Sequence, residues 1–339
     1  FIHTGQHYDW NMSNIFLKEL DLPEPNVFLN VRSSHHGAQT AKILGKAENS
    51  LSREQPHAVL VEGDTNSALG IALAAKKLRM QVGHVEAGCR SFDRNMAEEI
   101  NRVLIADLAD LHFAPTETCV QNLLREGVPR ENIYLTGHPI VDVLNRFQHR
   151  ISRDVLRELG LRPKEYLFVT IHREENVDDK DRLKSILQAL SELARERTII
   201  FPIHPRTYKR VRQFKLKKYS EPLRVLNPVG YVKALSLINS SRFILTDSGG
   251  VQQEAAILET PCITLRRSTE WAETVTHGIN FLAETKLEEI LMTAEKVESN
   301  LGDIKKRFGS AKDLFGSQGV SRDIINLSLI HISEPTRPY

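Results

Sequence analysis

Cysteine is scarce in this chain, and its scarcity excludes two common kinds of site. The three cysteines are Cys89, Cys119 and Cys262, which lie far apart and form no CxxC pair. This usage argues against a disulfide framework and against a zinc site, and it is typical of reduced thiols. The sequence therefore predicts a cytoplasmic protein without a bound metal.

Long apolar runs and an excess of one charge are also lacking. The most apolar stretch, Ala68 to Ala75, is far too short to cross a bilayer. The chain has 45 basic and 43 acidic residues, and its formal net charge of +2 gives no overall field that would attract nucleic acid or an acidic membrane. We therefore expect neither nucleic acid nor a membrane as a partner, and any phosphate site must be local.

Strand-like and helix-like segments alternate along the chain in two series. The strand-like segments of the first series are HAVLVEGD, MQVGHVEAG, LHFAPT and NIYLTGHP, and those of the second are YLFVTIHRE, RTIIFPIHP, LRVLNPV, RFILTDSGG and PCITL. Helical stretches such as DRLKSILQALSELARER separate them. This alternation predicts an α/β fold of two Rossmann-like domains with mostly parallel sheets, and a ligand cleft between the domains.

The domain boundaries follow from changes in this pattern. We predict an N-terminal Rossmann-like domain over 1–148 and a C-terminal Rossmann-like domain over 149–310. A C-terminal helix over 311–328 is expected to pack back on the N-terminal domain, and LIHISEPTRPY, within 329–339, is expected to be a non-native tail. Because the sequence starts at Phe1 without a Met and runs directly into a strand, we expect the N-terminus to be truncated.

The strongest phosphate signal is TDSGGVQQEAA, in which an apolar strand passes through Ser248, Gly249 and Gly250 into a helix. The two glycines let backbone N–H groups approach an oxyanion, and the helix N-terminus adds partial positive charge. The alternative is a tight turn that needs glycine only for its geometry. No dinucleotide-binding or Walker motif occurs at a strand-to-helix turn, so the sequence does not favour NAD or ATP as the ligand. Glu254, one helical turn further on, is placed to reach ribose hydroxyls.

Acidic residues gather in a second region, HVEAGCRSFDRNMAEEINR. Glu86 ends an apolar strand, where α/β sheets usually bind ligands, whereas Glu98 and Glu99 stand at the start of a helix and are equally explained by its dipole. Asp64, in EGDT, also ends a strand, and helix capping alone would explain it. On the shared helix Glu99 would point about 100° away from Glu98, so we expect it to matter little.

A third cluster, VTIHREEN, places His172 and Arg173 directly after a strand. At that position they would contact phosphate oxygens, or His172 would protonate a leaving group. A charged surface turn is the alternative interpretation.

Taken together and in order, eight segments closely resemble the non-hydrolysing UDP-N-acetylglucosamine 2-epimerases over about residues 1–328. They are TGQHYDWNM, EGDTNSALG, GHVEAGCRSFDRNMAEEINR, APTETCVQNL, TGHPIVD, TIHREEN, LTDSGGVQQEAA and STEWAETV. The resemblance implies the glycosyltransferase-B arrangement with UDP bound by the C-terminal domain, and it implies that the first strand and phosphate loop of the N-terminal domain are missing. It also implies a homodimer, a role in cell-surface polysaccharide synthesis, and interconversion of UDP-N-acetylglucosamine and UDP-N-acetylmannosamine without an added cofactor. UDP would leave and add back through 2-acetamidoglucal.

The resemblance also assigns roles to individual residues. It implies that the catalytic residues are Asp64, Glu86, Glu98 and His172. The expected substrate contacts are Asn101, Arg102, Arg173, His204, Ser248, Gly249, Gly250 and Glu254. Gln6 and His7 are candidates for binding an activating second substrate molecule. A hydrolysing epimerase, a glycosyltransferase and an inactive sugar-nucleotide-binding fragment stay open as alternatives.

Overall fold

The chain divides into two compact units, which are described separately below. The computed structural model describes residues 1–5, 17, 19–32 and 35–333. The first unit comprises Phe1–Val143 and Leu314–Tyr339, and the second comprises Leu144–Asp313. The C-terminal segment therefore belongs to the same unit as the N-terminal part of the chain. Gln6 and His7 lie outside the described residues.

The strands of the first unit form two parallel sheets. The smaller sheet pairs β1 (Ile2–His3) with β2 (Val27–Phe28). The larger sheet contains, in spatial order, β3 (Ala58–Glu62), β4 (Gln81–Val85), β5 (Leu111–Ala114) and β6 (Ile133–Leu135). Because all four strands run in the same direction, the loops that follow β3, β4 and β6 leave the same edge of the sheet.

The second unit contains one parallel sheet of six strands in the spatial order β12-β11-β10-β7-β8-β9. These strands are β7 (Tyr166–Thr170), β8 (Thr198–Pro202), β9 (Arg224–Leu226), β10 (Ile244–Thr246), β11 (Cys262–Thr264) and β12 (Asn280–Leu282). The chain order reverses beside β7, so β7 and β10 are neighbours whose following loops diverge. This is the topological switch point at which open α/β sheets bind ligands.

Helices connect the strands in both units. The α-helices in the described part of the chain are, in order, α1 (His36–Glu54), α2 (Asn66–Lys77), α3 (Ala97–Leu108), α4 (Glu117–Arg125), α5 (Ile140–Phe147), α6 (Asp154–Glu158), α7 (Glu174–Val177), α8 (Lys180–Leu193), α9 (Pro205–Gln213), α10 (Lys217–Ser220), α11 (Tyr231–Ser240), α12 (Gly249–Ile257), α13 (Ala272–Thr276), α14 (Leu287–Ser299), α15 (Leu301–Arg307) and α16 (Val320–Ser333). Short 3₁₀ turns occupy Arg130–Asn132, Gln148–Arg150 and Phe308–Ala311. Among the described residues, no helix combines the length and the apolar character needed to cross a membrane.

Side-chain caps fix where several of these helices begin. The hydroxyl of Thr65 accepts from the N–H of Ala68 at the start of α2, and the hydroxyl of Thr116 accepts from Cys119 at the start of α4. Asp179 caps α8 in the same way. Each cap satisfies N–H groups that the helix itself leaves without a partner. These helices therefore begin at the Thr and Asp residues that are typical of N-caps.

Strand β7 shows why the second sheet is covered on both faces. Leu167 and Val169 point into one buried apolar cluster, whereas Tyr166 and Phe168 point into another on the opposite face. All four are buried, which is why β7 reads as a continuous apolar run and not as an alternating one. The predicted α/β fold with parallel sheets is therefore confirmed.

The last helix, α16, packs on the larger sheet of the first unit. Val320 and Ile324 belong to the same buried cluster as Val85 and Phe113. Helix α16 begins at Val320 and ends at Ser333. It therefore starts later than the predicted residue 311 and ends later than the predicted residue 328. The sequence permits the longer helix because it has no proline between Val320 and residue 335.

Candidate active site

Three predicted acids of the first unit follow strands or begin a helix, as their sequence positions indicate. Asp64 comes two residues after β3, Glu86 comes directly after β4, and Glu98 lies in the first turn of α3. Capping does not explain Asp64, because the side chain that caps α2 is that of Thr65.

Arg102 ties helix α3 to the loop that carries Asp64. Its guanidinium is almost completely buried, and its Nη2 donates to Asp64 Oδ2 while its Nη1 donates to Glu99 Oε2 at 2.9 Å. The neighbouring Asn101 donates from Nδ2 to the carbonyl oxygen of Asp64 at 2.8 Å. Asp64 is thus held at both its backbone and its carboxylate, so the predicted contacts Asn101 and Arg102 are brought together with it.

Glu99 is the buried acid of the pair that begins α3. Only 1% of it is exposed, and its carboxylate accepts from the N–H and the hydroxyl of Ser91, at 2.9 and 3.0 Å, and from the N–H of Phe92 at 3.0 Å. Burial alone would raise the pKa of Glu99, but these donors and Arg102 outweigh it and lower that pKa. Glu99 therefore holds the loop that follows Glu86, a structural role that its position in the sequence did not indicate, and its small effect on turnover stays a prediction.

Glu98 has the opposite environment. Its side chain is half-buried, and it has no hydrogen bond or ion pair with any residue that the structure describes. A carboxylate that makes no structural bond is available to a ligand, and this distinguishes Glu98 from Glu99.

Glu86 adopts an uncommon backbone conformation, with φ at +69°. A non-glycine residue in the left-handed region costs about 1–3 kcal/mol, so the surrounding contacts must hold Glu86 in it. Its Oε2 lies 2.8 Å from Nε2 of His138, a residue that follows β6 and that our sequence analysis did not select. The available signal was positional, because His138 also follows a strand of the same parallel sheet.

In the second unit, Asp247 joins the loops that follow β7 and β10. Its buried carboxylate accepts from the backbone N–H of His172 at 3.1 Å, from that of Arg173 at 3.0 Å, and from Nδ2 of Asn176 at 3.1 Å. Burial would raise the pKa of Asp247, but these donors and the His172 ring together lower it. Sequence analysis missed Asp247, although it stands between the strand and the Ser248 turn.

His172 projects from this junction toward solvent. Its Nδ1 lies 3.3 Å from Asp247 Oδ1, and 40% of the side chain is exposed. Because Asp247 engages Nδ1, Nε2 is the ring nitrogen that faces away from Asp247 and can meet a ligand. The ring of His204 lies beside it, with 5.6 Å between centroids. His204 Nδ1 accepts from the N–H of Arg206 and caps α9, so its predicted contact role competes with a structural one.

The turn at the start of α12 presents unused backbone donors. Ser248 caps the helix by accepting from the N–H of Val251, and its own N–H donates to the Thr246 hydroxyl at 3.0 Å. The N–H groups of Gly249 and Gly250 have no acceptor among the residues that the structure describes. Two such donors at a helix N-terminus form an anion-binding site.

A buried ion network borders this turn. The carboxylate of Glu270 accepts from Arg266 Nη1 at 2.8 Å, and Nη2 of Arg173 lies 3.5 Å from its other oxygen. A Cβ added to Gly249 would clash with Glu270 Oε1, whereas one added to Gly250 would meet nothing. The structure therefore places Arg173 beside the turn, and it adds Glu270 and Arg266 to the residues that sequence analysis found.

Glu254 lies on α12, beyond the turn, and is buried. Burial raises its pKa to about 7, and its interaction with the nearby Tyr231 hydroxyl opposes the rise. Burial and the charge of Glu254 in turn raise the pKa of Tyr231. A carboxyl group that titrates near neutrality accepts from hydroxyls when ionised and also donates when protonated.

Comparison with known proteins identifies the family to which the chain belongs. The family model for UDP-N-acetylglucosamine 2-epimerase matches residues 1–328. The chain belongs to the UDP-N-acetylglucosamine 2-epimerase family. The resemblance predicted from the sequence motifs is thus confirmed.

Two similar proteins, one of them also known as a crystal structure, illustrate the range of the family. The UDP-N-acetylglucosamine 2-epimerase of Methanocaldococcus jannaschii is 45% identical over 320 residues, which cover 92% of this chain and 87% of that protein. A crystal structure of the same enzyme, in complex with UDP-GlcNAc and UDP, matches with a TM-score of 0.88 at 42% identity and covers 97% of this chain and 91% of that one. The UDP-2,3-diacetamido-2,3-dideoxy-D-glucuronate 2-epimerase of Pseudomonas aeruginosa is 40% identical over 303 residues, which cover 89% of this chain and 83% of that protein. The whole-chain likeness supports the predicted fold class.

Proposed function

We propose that this member of the epimerase family interconverts UDP-N-acetylglucosamine and UDP-N-acetylmannosamine by inverting carbon 2 of the sugar. The observation that carries the proposal is the turn at the start of α12, where two unused N–H donors lie beside Arg173 and near His172. A diphosphate is the ligand that such donors suit. Family membership supplies the reaction type.

The reaction proceeds by elimination, because the hydrogen on carbon 2 is not acidic enough for direct exchange. A carboxylate removes the proton from carbon 2 as the bond between carbon 1 and the diphosphate oxygen breaks, and UDP leaves with the bonding electron pair. The product is 2-acetamidoglucal. Protonation of carbon 2 from the opposite face and re-addition of UDP to carbon 1 then give the epimer, so acids are needed on both faces.

The residues divide between these two tasks. We assign the departing diphosphate to the Ser248–Gly250 turn, to Arg173 and to His172, which would stabilise the negative charge that develops on UDP. We assign the proton transfers to the carboxylates of Asp64, Glu86 and Glu98. Glu254 would accept from the ribose hydroxyls.

A second substrate is favoured by one specific observation, the 40% identity to an enzyme named for UDP-2,3-diacetamido-2,3-dideoxy-D-glucuronate. The same inversion at carbon 2 would apply to that sugar, because the diphosphate and the 2-acetamido group are shared. The difference lies at carbons 3 and 6 of the sugar, to which none of the groups above is assigned.

The test is proton NMR in deuterated water with each UDP-sugar in turn. We expect equilibration of UDP-N-acetylglucosamine with its epimer, and deuterium at carbon 2 of both. Accumulation of free N-acetylmannosamine and UDP would support a hydrolysing enzyme instead. UDP binding by calorimetry without turnover of either sugar would support a binding protein, and turnover of the diacetamido sugar alone would support the second substrate.

The predicted homodimer and cytoplasmic location stay predictions. Light scattering of the purified chain tests the first, and fractionation of cells that express it tests the second.

A further inference from the structure

His138 is a buried histidine whose ring is anchored on every polar side. Its Nδ1 accepts from the N–H of Ile140 at 3.0 Å, and its Nε2 lies 2.8 Å from Glu86 Oε2. Its backbone N–H donates to the carbonyl oxygen of Phe315 at 2.8 Å, and the Phe315 ring packs edge-on against the imidazole, with 6.5 Å between centroids. Only 5% of His138 is exposed.

These anchors fix which nitrogen of His138 carries the proton. A nitrogen that accepts from a backbone N–H cannot carry a hydrogen itself, so in the neutral ring the proton sits on Nε2. Nε2 therefore donates to Glu86 Oε2. This occupies one oxygen of Glu86 and leaves Oε1 as the oxygen that can exchange a proton with a ligand.

The Glu86 carboxylate has few other contacts that would fix its direction. The φ of Glu86, at +69°, is uncommon for a residue with a side chain, and its carboxylate is not paired with arginine in the way that Asp64 is. The contact with His138 is the one hydrogen bond of its side chain within the part of the chain that the structure describes. The direction of the Glu86 carboxylate thus depends on that single donor.

The charged and titratable groups around this pair are few. Glu62 lies at the end of β3, and burial by the surrounding protein atoms raises its pKa, a rise to which the charge on Glu86 adds. Water reaches the Glu62 side chain and screens that charge, so its effect is modest. The buried thiol of Cys89 lies three residues after Glu86 in the same loop, and its raised pKa, which is due first to burial, keeps it neutral.

We propose that His138 is a positioning residue for the epimerisation, whose Nε2–H holds the Glu86 carboxylate in the direction from which Oε1 transfers the proton of carbon 2. The proposal rests on the proposed function, because it requires Glu86 to take part in proton transfer. It extends the site to a residue that makes no contact with the reacting atoms.

Two substitutions at His138 separate positioning from packing. His138→Phe keeps an aromatic ring of similar size but removes the donor, and we expect kcat to fall about 10- to 100-fold with little change in KM, since misplaced catalytic groups cost about that much. His138→Gln places an amide N–H near the former Nε2 and should recover most of the lost turnover. The acid limb of the pH profile of kcat/KM should move to higher pH in His138→Phe and return in His138→Gln, because a carboxylate that loses a donor is protonated more easily.

A double-mutant cycle completes the test. In a Glu86→Gln background, His138→Phe should reduce turnover little further, because the group that it positions is already gone. Equal losses in the Phe and Gln variants, an unmoved acid limb, or failure of both to fold would overturn the proposal and assign His138 a structural role. Inactivity of the unaltered enzyme would count against the proposed function itself, whereas an active enzyme with an unimpaired His138→Phe variant would overturn only this inference.

Discussion

The carboxylate of Glu270 occupies the space that a side chain at position 249 would need. Gly249 is therefore required for a reason beyond backbone freedom, since Glu270 is held there by Arg266 and lies beside Arg173. A carboxylate next to a turn that binds anions would repel the anion unless nearby cations offset the charge of the carboxylate. The two arginines supply that offset, and Glu270 in return orients Arg173.

The two glycines of the turn give a matched pair of variants. Gly249→Ala forces Glu270 to move and should lower the free energy of unfolding by about 1–3 kcal/mol, as overpacking of a buried site does. Gly250→Ala places its methyl group in open space, so its stability should be close to that of the unaltered protein. Thermal denaturation without ligand measures both. Equal melting temperatures for the two variants would show that Glu270 relaxes without cost.

Asp247→Asn should destabilise the second unit, and the size of the loss should depend on pH. The buried carboxylate accepts from several donors, and leaving them without a charged acceptor costs about 1–3 kcal/mol. Because the folded-state pKa of Asp247 is lowered, its contribution is complete above the unfolded value of about 3.9 and is lost as pH falls through the folded-state pKa. Denaturant titrations at several pH values should show the variant and the unaltered protein converging in acid. A constant difference at every pH would contradict this account.

The sequence predicted the elements of this fold better than the contacts between them. Periodicity located β7 and β10, and the Ser-Gly-Gly turn was visible because glycine and a capping serine are local signals. Asp247 was not selected, because its partner His172 is 75 residues away and only the adjacency of β7 and β10 brings them together. His138 depends in the same way on distant strands. Glu98 and Glu99 could not be ranked from the sequence, because their roles depend on where the loop at Ser91 folds back.

Glu254→Gln should stabilise the protein at high pH. The pKa of Glu254 is raised to about 7 by burial, so the folded state binds more protons than the unfolded state between pH 4.5 and 7. Stability is therefore greatest below the unfolded pKa and falls as pH rises through 7. The amide carries no charge, so we expect the variant to melt about 2–4 °C higher than the unaltered protein at pH 8, with a smaller gap at pH 5. Scanning calorimetry at both values checks the sign, and a lower melting temperature at pH 8 would contradict it.

The pair of acids at the start of α3 offers the clearest separation of chemistry from stability. Glu98 makes no bond to the described residues, so Glu98→Gln should leave the melting temperature and the affinity for UDP unchanged. If Glu98 transfers a proton, turnover should fall by about two to four orders of magnitude.

Glu99→Gln, one residue on, is the matched control. It retains an oxygen but replaces a carboxylate that binds Arg102, Ser91 and Phe92 with a neutral amide, so we expect a loss of about 3–5 kcal/mol from breaking the buried pair. Turnover by whatever fraction stays folded should be less affected than in Glu98→Gln. Melting curves and deuterium incorporation at carbon 2, measured on both variants, give the answer. If Glu98→Gln keeps full turnover, its role is limited to the helix dipole, and the proton transfer must be assigned to Asp64 and Glu86 alone.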